Sequence, residues 1–490
     1  MVFNYRKFFL LLAAALFILI GSSCGGDETD VYLEDRDIND SIETLMEYET
    51  QMEYRNLSIY VLSHSSPNNS LVPLINRAMR NAEEHMLERG VNLSITRTVI
   101  DTEAIEEHYT RLQTQFMAGN PPDLLMVLGH PLFQYARAGF LANMYDLIYN
   151  DPYVTLDDFF CNVLEAFEHD GRLIAMPMLF SPQFIGINAM LPEGILERFN
   201  AHSTITVYEM LGIQNELVSL HPEYSFLAVG SNISSVNLVR HELSNHVNLV
   251  ERTINMDING FASFLDHAHL VFGHFPGFVF MNILAHGDVM PDMFTFSNKY
   301  FALTMATALL EVDTPEFINH IPLVDDSGRI MLSSTSWTSW DSFHSSLFTI
   351  TSGTNADMAW EMLKKFMYEF ANFRSSWSLG MGSLETPIKR SMFADRAEYI
   401  LTELIRPGAD LPRAANIRFP ATGNEEARRV AVENAVSRLA EINEMPMVIP
   451  LMIPASLFED VLREQFFHGL ISSHEAAHQI NNRISLFLIE

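Results

Sequence analysis

The chain has 490 residues, 48% of them apolar, with a formal charge of −31 and two cysteines. The apolar share excludes a largely disordered chain, and the length exceeds what one hydrophobic core usually holds, so two lobes are expected. A surface this negative repels phosphate backbones and argues against nucleic acid as a partner, while two cysteines exclude a disulfide-built fold.

Arg6 and Lys7 give a short basic start, and Phe8 to Ile20 is an unbroken apolar run. The run is too short to span a bilayer as a mature helix and has the layout of a secretory signal over residues 1–23. Gly21, Ser22 and Ser23 lead directly into Cys24. That ending resembles the bacterial lipoprotein signal. The resemblance implies that the Cys24 thiol carries a diacylglycerol, with palmitate as a typical acyl chain, and becomes the new N-terminus. The protein would then sit on the outer face of the cell membrane, anchored but not spanning. Ordinary secretion with a free cysteine is the alternative. Residues 24–54 read as the anchor and an acidic tether: eleven Asp or Glu residues stand against Arg36 alone, and such a run stays solvated.

The globular part follows in alternating elements. Leu57 to Leu62 reads as a strand. Leu71 to Arg89 has helical spacing through Leu74, Ile75, Ala78, Ala82 and Met86, stopped by Gly90. Val91 to Ile100 alternates as a strand, and Thr102 caps a helix running to Met117. Gly119 to Pro122 force a turn before an apolar strand, Asp123 to Leu128. Strand, helix, strand, helix, strand at this spacing predicts a parallel sheet covered on both faces. Leu173 to Pro177 is a short strand after the Asp170-Gly171-Arg172 turn. Tyr300 to Leu310 is an apolar segment. Asn355 to Phe370, Glu425 to Ile442 and Ser473 to Phe487 are helices; Trp360 faces inward on the first of these.

Several of these segments together resemble the extracellular solute-binding proteins of ABC importers, in particular the sugar-binding group. Gln113 with Phe116 to Leu125 resembles that family's helix, Ala-Gly, Pro-Asp, strand unit. Ala138 to Met144 resembles its next helix end, and Asp170 to Pro177 its turn into the hinge. Asn355, Ala356, Ala359, Trp360 and Phe366, then Pro387 to Arg390 and Ser472 to Ala477, resemble its later helices and turn. The resemblance implies an α/β fold of the two-lobe, periplasmic-binding-protein (type II) clamshell kind, with hinge crossovers. The first lobe would take 55–178 plus 320–373 and the second 179–319 plus 374–490. It implies no enzyme activity and no cofactor. The implied partners are a small solute, favoured as a sugar or oligosaccharide, and the permease subunits of an importer; a ligand sensor without transport is the alternative within the same fold.

Sugars are held by aromatic faces and by polar side chains that fix hydroxyls. Segments expected at the cleft supply His130, Phe180, Gln183, Phe184, Thr307, Trp337, Trp340 and Trp377 as ligand-binding candidates. A competing reading comes from His474-Glu475-Ala476-Ala477-His478, which fits the H-E-x-x-H signature of an extracellular zinc metallopeptidase. A core stripe through Ala477, Ile480, Ile484 and Phe487 gives that helix a structural role instead. Asp266, His267, His269 and His274 form a second histidine-rich patch, read as a solvated or partly buried segment. Cys161 reads as a small core residue.

Overall fold

A computed structural model describes residues 53–63, 71–101, 105–126, 132–180, 182–188, 191–221, 226–228, 235–272, 301–306, 317–332, 347–372, 386–393, 443–449, 453 and 457–489. The signal, Cys24, nearly all of the tether and the expected 425–442 helix lie outside them. The chain divides into a small unit, residues 1–54 with Gly90–Asn92, and a main unit of Arg55–Arg89 with Leu93–Glu490. No helix among the described residues is long and apolar enough to cross a membrane.

The first sheet runs in the order Val91–Asp101, Glu53–Ser63, Leu124–Met126, Leu347–Ile350, Met176–Pro177. Glu53–Ser63 and Leu124–Met126 are parallel, with Ile59 opposite Leu124. Leu347–Ile350 is antiparallel to both of its neighbours, so the sheet is mixed rather than wholly parallel. The expected helical stripe buries Ile75, Ala78, Ala82 and Met86 from the Leu71–Glu88 helix. Gly90 ends that turn at φ 78, a left-handed conformation that costs glycine little. The partner helix is Ala356–Ala371. Its Phe366 stacks on Phe348 of the sheet at 4.8 Å, with Phe370 edge-on. Glu369 is buried on the same helix, and its charge is met by Arg77 Nε at 2.5 Å and Asn81 Nδ2 at 2.7 Å. Trp360 is buried as expected, but its ring N–H donates to Asp151 Oδ2, which also takes Lys364 Nζ.

The Pro-Asp unit has a visible purpose. Asp123 Oδ2 accepts from the Ser58 amide and hydroxyl, each at 2.7 Å, and Oδ1 accepts from Asn355 Nδ2 at 3.1 Å. One carboxylate therefore ties two strands to the start of the Ala356–Ala371 helix.

The second sheet runs Phe226–Ala228, Phe301–Ala306, Phe184–Asn188, Phe317–Val324, Ile330–Met331, Met447–Val448, with Ile205–Thr206 beside Phe317–Val324. Its core includes Phe199, Leu211, Phe261, Phe264, Phe458 and Ile480. A capping box between Thr206 and Glu209 starts the Val207–Leu220 helix.

Among the described residues, a short crossover from Met176–Pro177 to Phe184–Asn188 joins the two sheets. Leu179–Phe180 pairs with Thr386–Pro387. Gln183 then donates its amide to Met331 O and accepts from Leu323 N, each at 2.9 Å. These pairings assign two further segments. Residues 320–332 belong to the second sheet, because Ile318 and Ile321 pair with Ile187 and Ile185 and the Asp325–Gly328 turn returns the chain to Ile330. The first sheet regains the chain only at Leu347. Residues 386–393, expected in the second lobe, bind Phe159 and Phe160 of the first: Phe160 N donates to Ile388 O, and Arg390 Nε donates to Phe159 O at 2.8 Å.

Candidate functional site

Local rules build two facing walls. In the first lobe, Asp170 (φ 51) and Gly171 (φ 70) make a tight turn that folds Glu168–His169 onto Arg172–Leu173. The short Cys161–Glu165 helix precedes it. In the second lobe, the Ser235–His246 helix runs directly into the hairpin of Val247–Asn248 and Thr253–Ile254. Asn248 Oδ1 accepts from the amides of Val250 and Glu251, at 2.9 and 3.0 Å, which shapes the loop.

Between these walls lies a cavity of about 580 Å³. Phe133, Glu165 and Glu168 line it from the first lobe; Asn245, Asn248, Glu251, Arg329 and the Met447–Ile449 segment line it from the second. A volume of this size accommodates a small organic ligand. The walls also touch directly. Arg137 Nη2 donates to the carbonyls of Leu249 and Val250, both at 3.1 Å, and Asn162 Nδ2 donates to Met445 O at 2.9 Å.

Several lining groups are held from behind. The Tyr145 hydroxyl donates to Glu168 Oε1, and burial together with that carboxylate pushes the phenol pKa upward. Arg329 places Nε and Nη2 on Asp325 Oδ2, each at 2.7 Å. His246 lies 3.4 Å from Glu242, and Asp326 is shifted upward by burial and by the Glu242 charge.

Of the sequence-read candidates, Phe180, Gln183 and Phe184 gather at the first crossover, where all three are buried. Phe180 packs edge-on against Phe160 at 5.2 Å, Phe184 is a core strand residue, and Gln183 Nε2 lies 3.3 Å from His241 Nε2. None of the three lines the cavity. His130, Thr307, Trp337, Trp340 and Trp377 lie outside the described residues. The lining residues Glu165, Glu168, Asn248 and Glu251 carry no motif. Their only sequence signal is nearness to the Asp170-Gly171 turn and to the Asn248 turn.

The decoys resolve into packing and surface. His267 Nδ1 meets Ser263 O at 2.6 Å, and His269 packs against Phe466 and Phe467; His274 lies outside the described residues. Cys161 is half-buried and unpaired by disulfide, its thiol pushed upward by burial. His474 and His478 stand exposed on the terminal helix, ring centres 4.7 Å apart. A catalytic zinc needs a third protein ligand, and among the described residues no group of three His, Cys, Asp or Glu could hold a metal ion. Zinc titration is expected to show no stoichiometric uptake that His474→Ala removes. Tight binding abolished by that substitution would restore the peptidase reading.

No family model and no curated protein matches the chain. Solved structures do. The sugar-binding protein MalE from Xanthomonas citri is similar at 15% identity and a TM-score of 0.50, covering 89% of this chain and 98% of its own. A periplasmic oligogalacturonide-binding protein from Yersinia enterocolitica gives 14%, 0.49, 89% and 99%. An extracellular solute-binding protein family 1 member from Alicyclobacillus acidocaldarius gives 13%, 0.48, 89% and 99%. With two sheets, a short described crossover between them and the match to the Xanthomonas protein, the chain has the two-lobe, type II fold of periplasmic solute-binding proteins.

Proposed function

We propose that this chain is a non-catalytic solute receptor, anchored outside the cell through Cys24, that delivers a sugar or oligosaccharide to an ABC importer. The observation that supports this most is the cavity between the lobes, walled by both, with Arg137 and Asn162 bridging the walls among the described residues. A ligand in that position touches both walls, so it binds the closed arrangement better than an open one and shifts the population toward it. Hinge closure about the crossovers would change the shape that a permease meets. Lipid on Cys24 and the acidic tether would hold the receptor near its permease and raise its effective concentration there.

The lobes proposed for this motion are 55–178 with 347–372 and 386–393, against 182–332 with 443–489. His130, Thr307, Trp337, Trp340 and Trp377 are proposed to complete the ligand contacts, as aromatic faces and hydroxyl partners. Phe180, Gln183 and Phe184 belong to the moving joint and would enter the contact set only if the crossover shifts. The H-E-x-x-H helix has no part in this reading.

A thermal-shift screen over sugars, oligosaccharides and peptides tests it. A true ligand at 100 times its dissociation constant stabilises the folded state by about 2.7 kcal/mol, because it binds only that state. A rise in Tm with a glycan supports the proposal. A rise with peptides and with no glycan overturns the carbohydrate assignment.

A further inference from the structure

We infer that the cavity selects a positively charged glycan, an amino-sugar oligomer, over neutral or acidic glycans of the same length. This rests on the receptor reading and adds the charge class of the ligand. Carboxylates face the cavity from both walls: Glu165 and Glu168 from the first lobe, Glu251 from the second. Glu165 and Glu251 are exposed to the cavity solvent, and Glu168 is oriented by the Tyr145 hydroxyl behind it.

The basic side of the balance is already used. Arg329, the one Arg or Lys among the described lining residues, is tied by two contacts to the buried carboxylate of Asp325. His246 is held against Glu242. Arg137 reaches the same hairpin, where its Nη2 donates to the Leu249 and Val250 carbonyl oxygens. An anionic sugar entering here would meet three carboxylates, while Arg252, exposed on the same hairpin, lines a neighbouring pocket rather than this cavity. A sugar ammonium would meet up to three partners, in a walled space where charge pairs are less screened than on an open surface. The overall charge of −31 adds a field of the same sign, which draws cations toward the cleft and repels uronates.

The test uses the mature chain and three β-1,4-linked tetramers of matched length: glucosamine, glucose and glucuronate. Calorimetry is run at a pH below the amine's pKa. The glucosamine tetramer should bind most tightly and the glucuronate tetramer least. Glu168→Gln with Glu251→Gln should narrow the preference for glucosamine over glucose by roughly two- to fivefold per carboxylate removed, the range of a partly solvated charge pair. A far-UV spectrum and a ligand-free Tm equal to the parent's show that the fold is intact. Glucose binding as tightly as glucosamine, or a preference that survives both substitutions, overturns the inference and leaves the receptor reading standing. Binding of no tetramer at all overturns the inference too, and the wider thermal-shift screen then decides the receptor reading.

Discussion

Phe366→Ala should destabilise the first lobe by about 3–5 kcal/mol, the usual cost of emptying an aromatic site in a packed core. Phe366 is fully buried, stacked on Phe348 at 4.8 Å and edge-on to Phe370. The surrounding wall cannot easily collapse into the space. On one side stands the sheet, and on the other the Leu71–Glu88 helix is fixed to the same Ala356–Ala371 helix by Arg77 and Asn81 on Glu369. Tyr368→Ala on that helix is the control: Tyr368 is 55% exposed, so its loss should stay within about 0.5 kcal/mol. Urea unfolding of both variants gives the comparison, with the midpoint falling for Phe366→Ala at an unchanged m-value. Equal midpoints would show that this aromatic stack does not hold the lobe. The consequence reaches the joint, because Phe348 sits on the strand by which the chain returns from the second sheet.

Much of this first lobe could be read locally. The Ile75, Ala78, Ala82 and Met86 spacing and the Gly90 stop describe one helix almost to its ends, since a 3.6-residue stripe has few other uses. The Asp170-Gly171 turn was equally legible, because left-handed backbone needs such residues. What the sequence does not show is which sheet Phe317–Val324 joins. Its apolar alternation suits either lobe, and the choice is made by pairing with Phe184–Asn188, more than a hundred residues away in sequence. Local periodicity carries no information about that partner. The cavity fared worse for a related reason. Glu165, Glu168 and Glu251 look in sequence like any solvated carboxylate, and only the fold brings them to one space. Phe180, Gln183 and Phe184 were singled out by nearness to the hinge. The crossover is where they lie, yet a crossover between two sheets must itself be packed, so their side chains are buried.

A pH dependence is expected at that packed crossover. His241 is fully buried on the Ser235–His246 helix, and burial together with the neighbouring Arg240 charge depresses its pKa from 6.5 to about 3. Its Nε2 faces the Gln183 amide at 3.3 Å, and Gln183 is the residue whose backbone is bonded to both Met331 and Leu323. Arg240 itself is buried over the Phe458 ring and lowered to about 10, so it stays charged throughout the acid range and keeps opposing a second cation beside it. The unfolded chain binds a proton at this histidine below pH 6.5, while the folded chain resists it until about pH 3. Stability from neutral His241 is therefore fully present above pH 6.5 and drains away as pH falls toward 3, by roughly 5 kcal/mol in total at 1.36 kcal/mol per unit. His241→Gln keeps a hydrogen-bonding group against Gln183 and removes the titration. Its stability should fall less steeply than the parent's between pH 6.5 and 4, with the other histidines common to both proteins. Parallel pH profiles for the two would show that this imidazole protonates without resistance and that the crossover is open to water. A shallower variant profile, with amide exchange at Leu323 quickening in the parent alone as acid is added, would place the acid-sensitive step at the joint on which lobe closure turns.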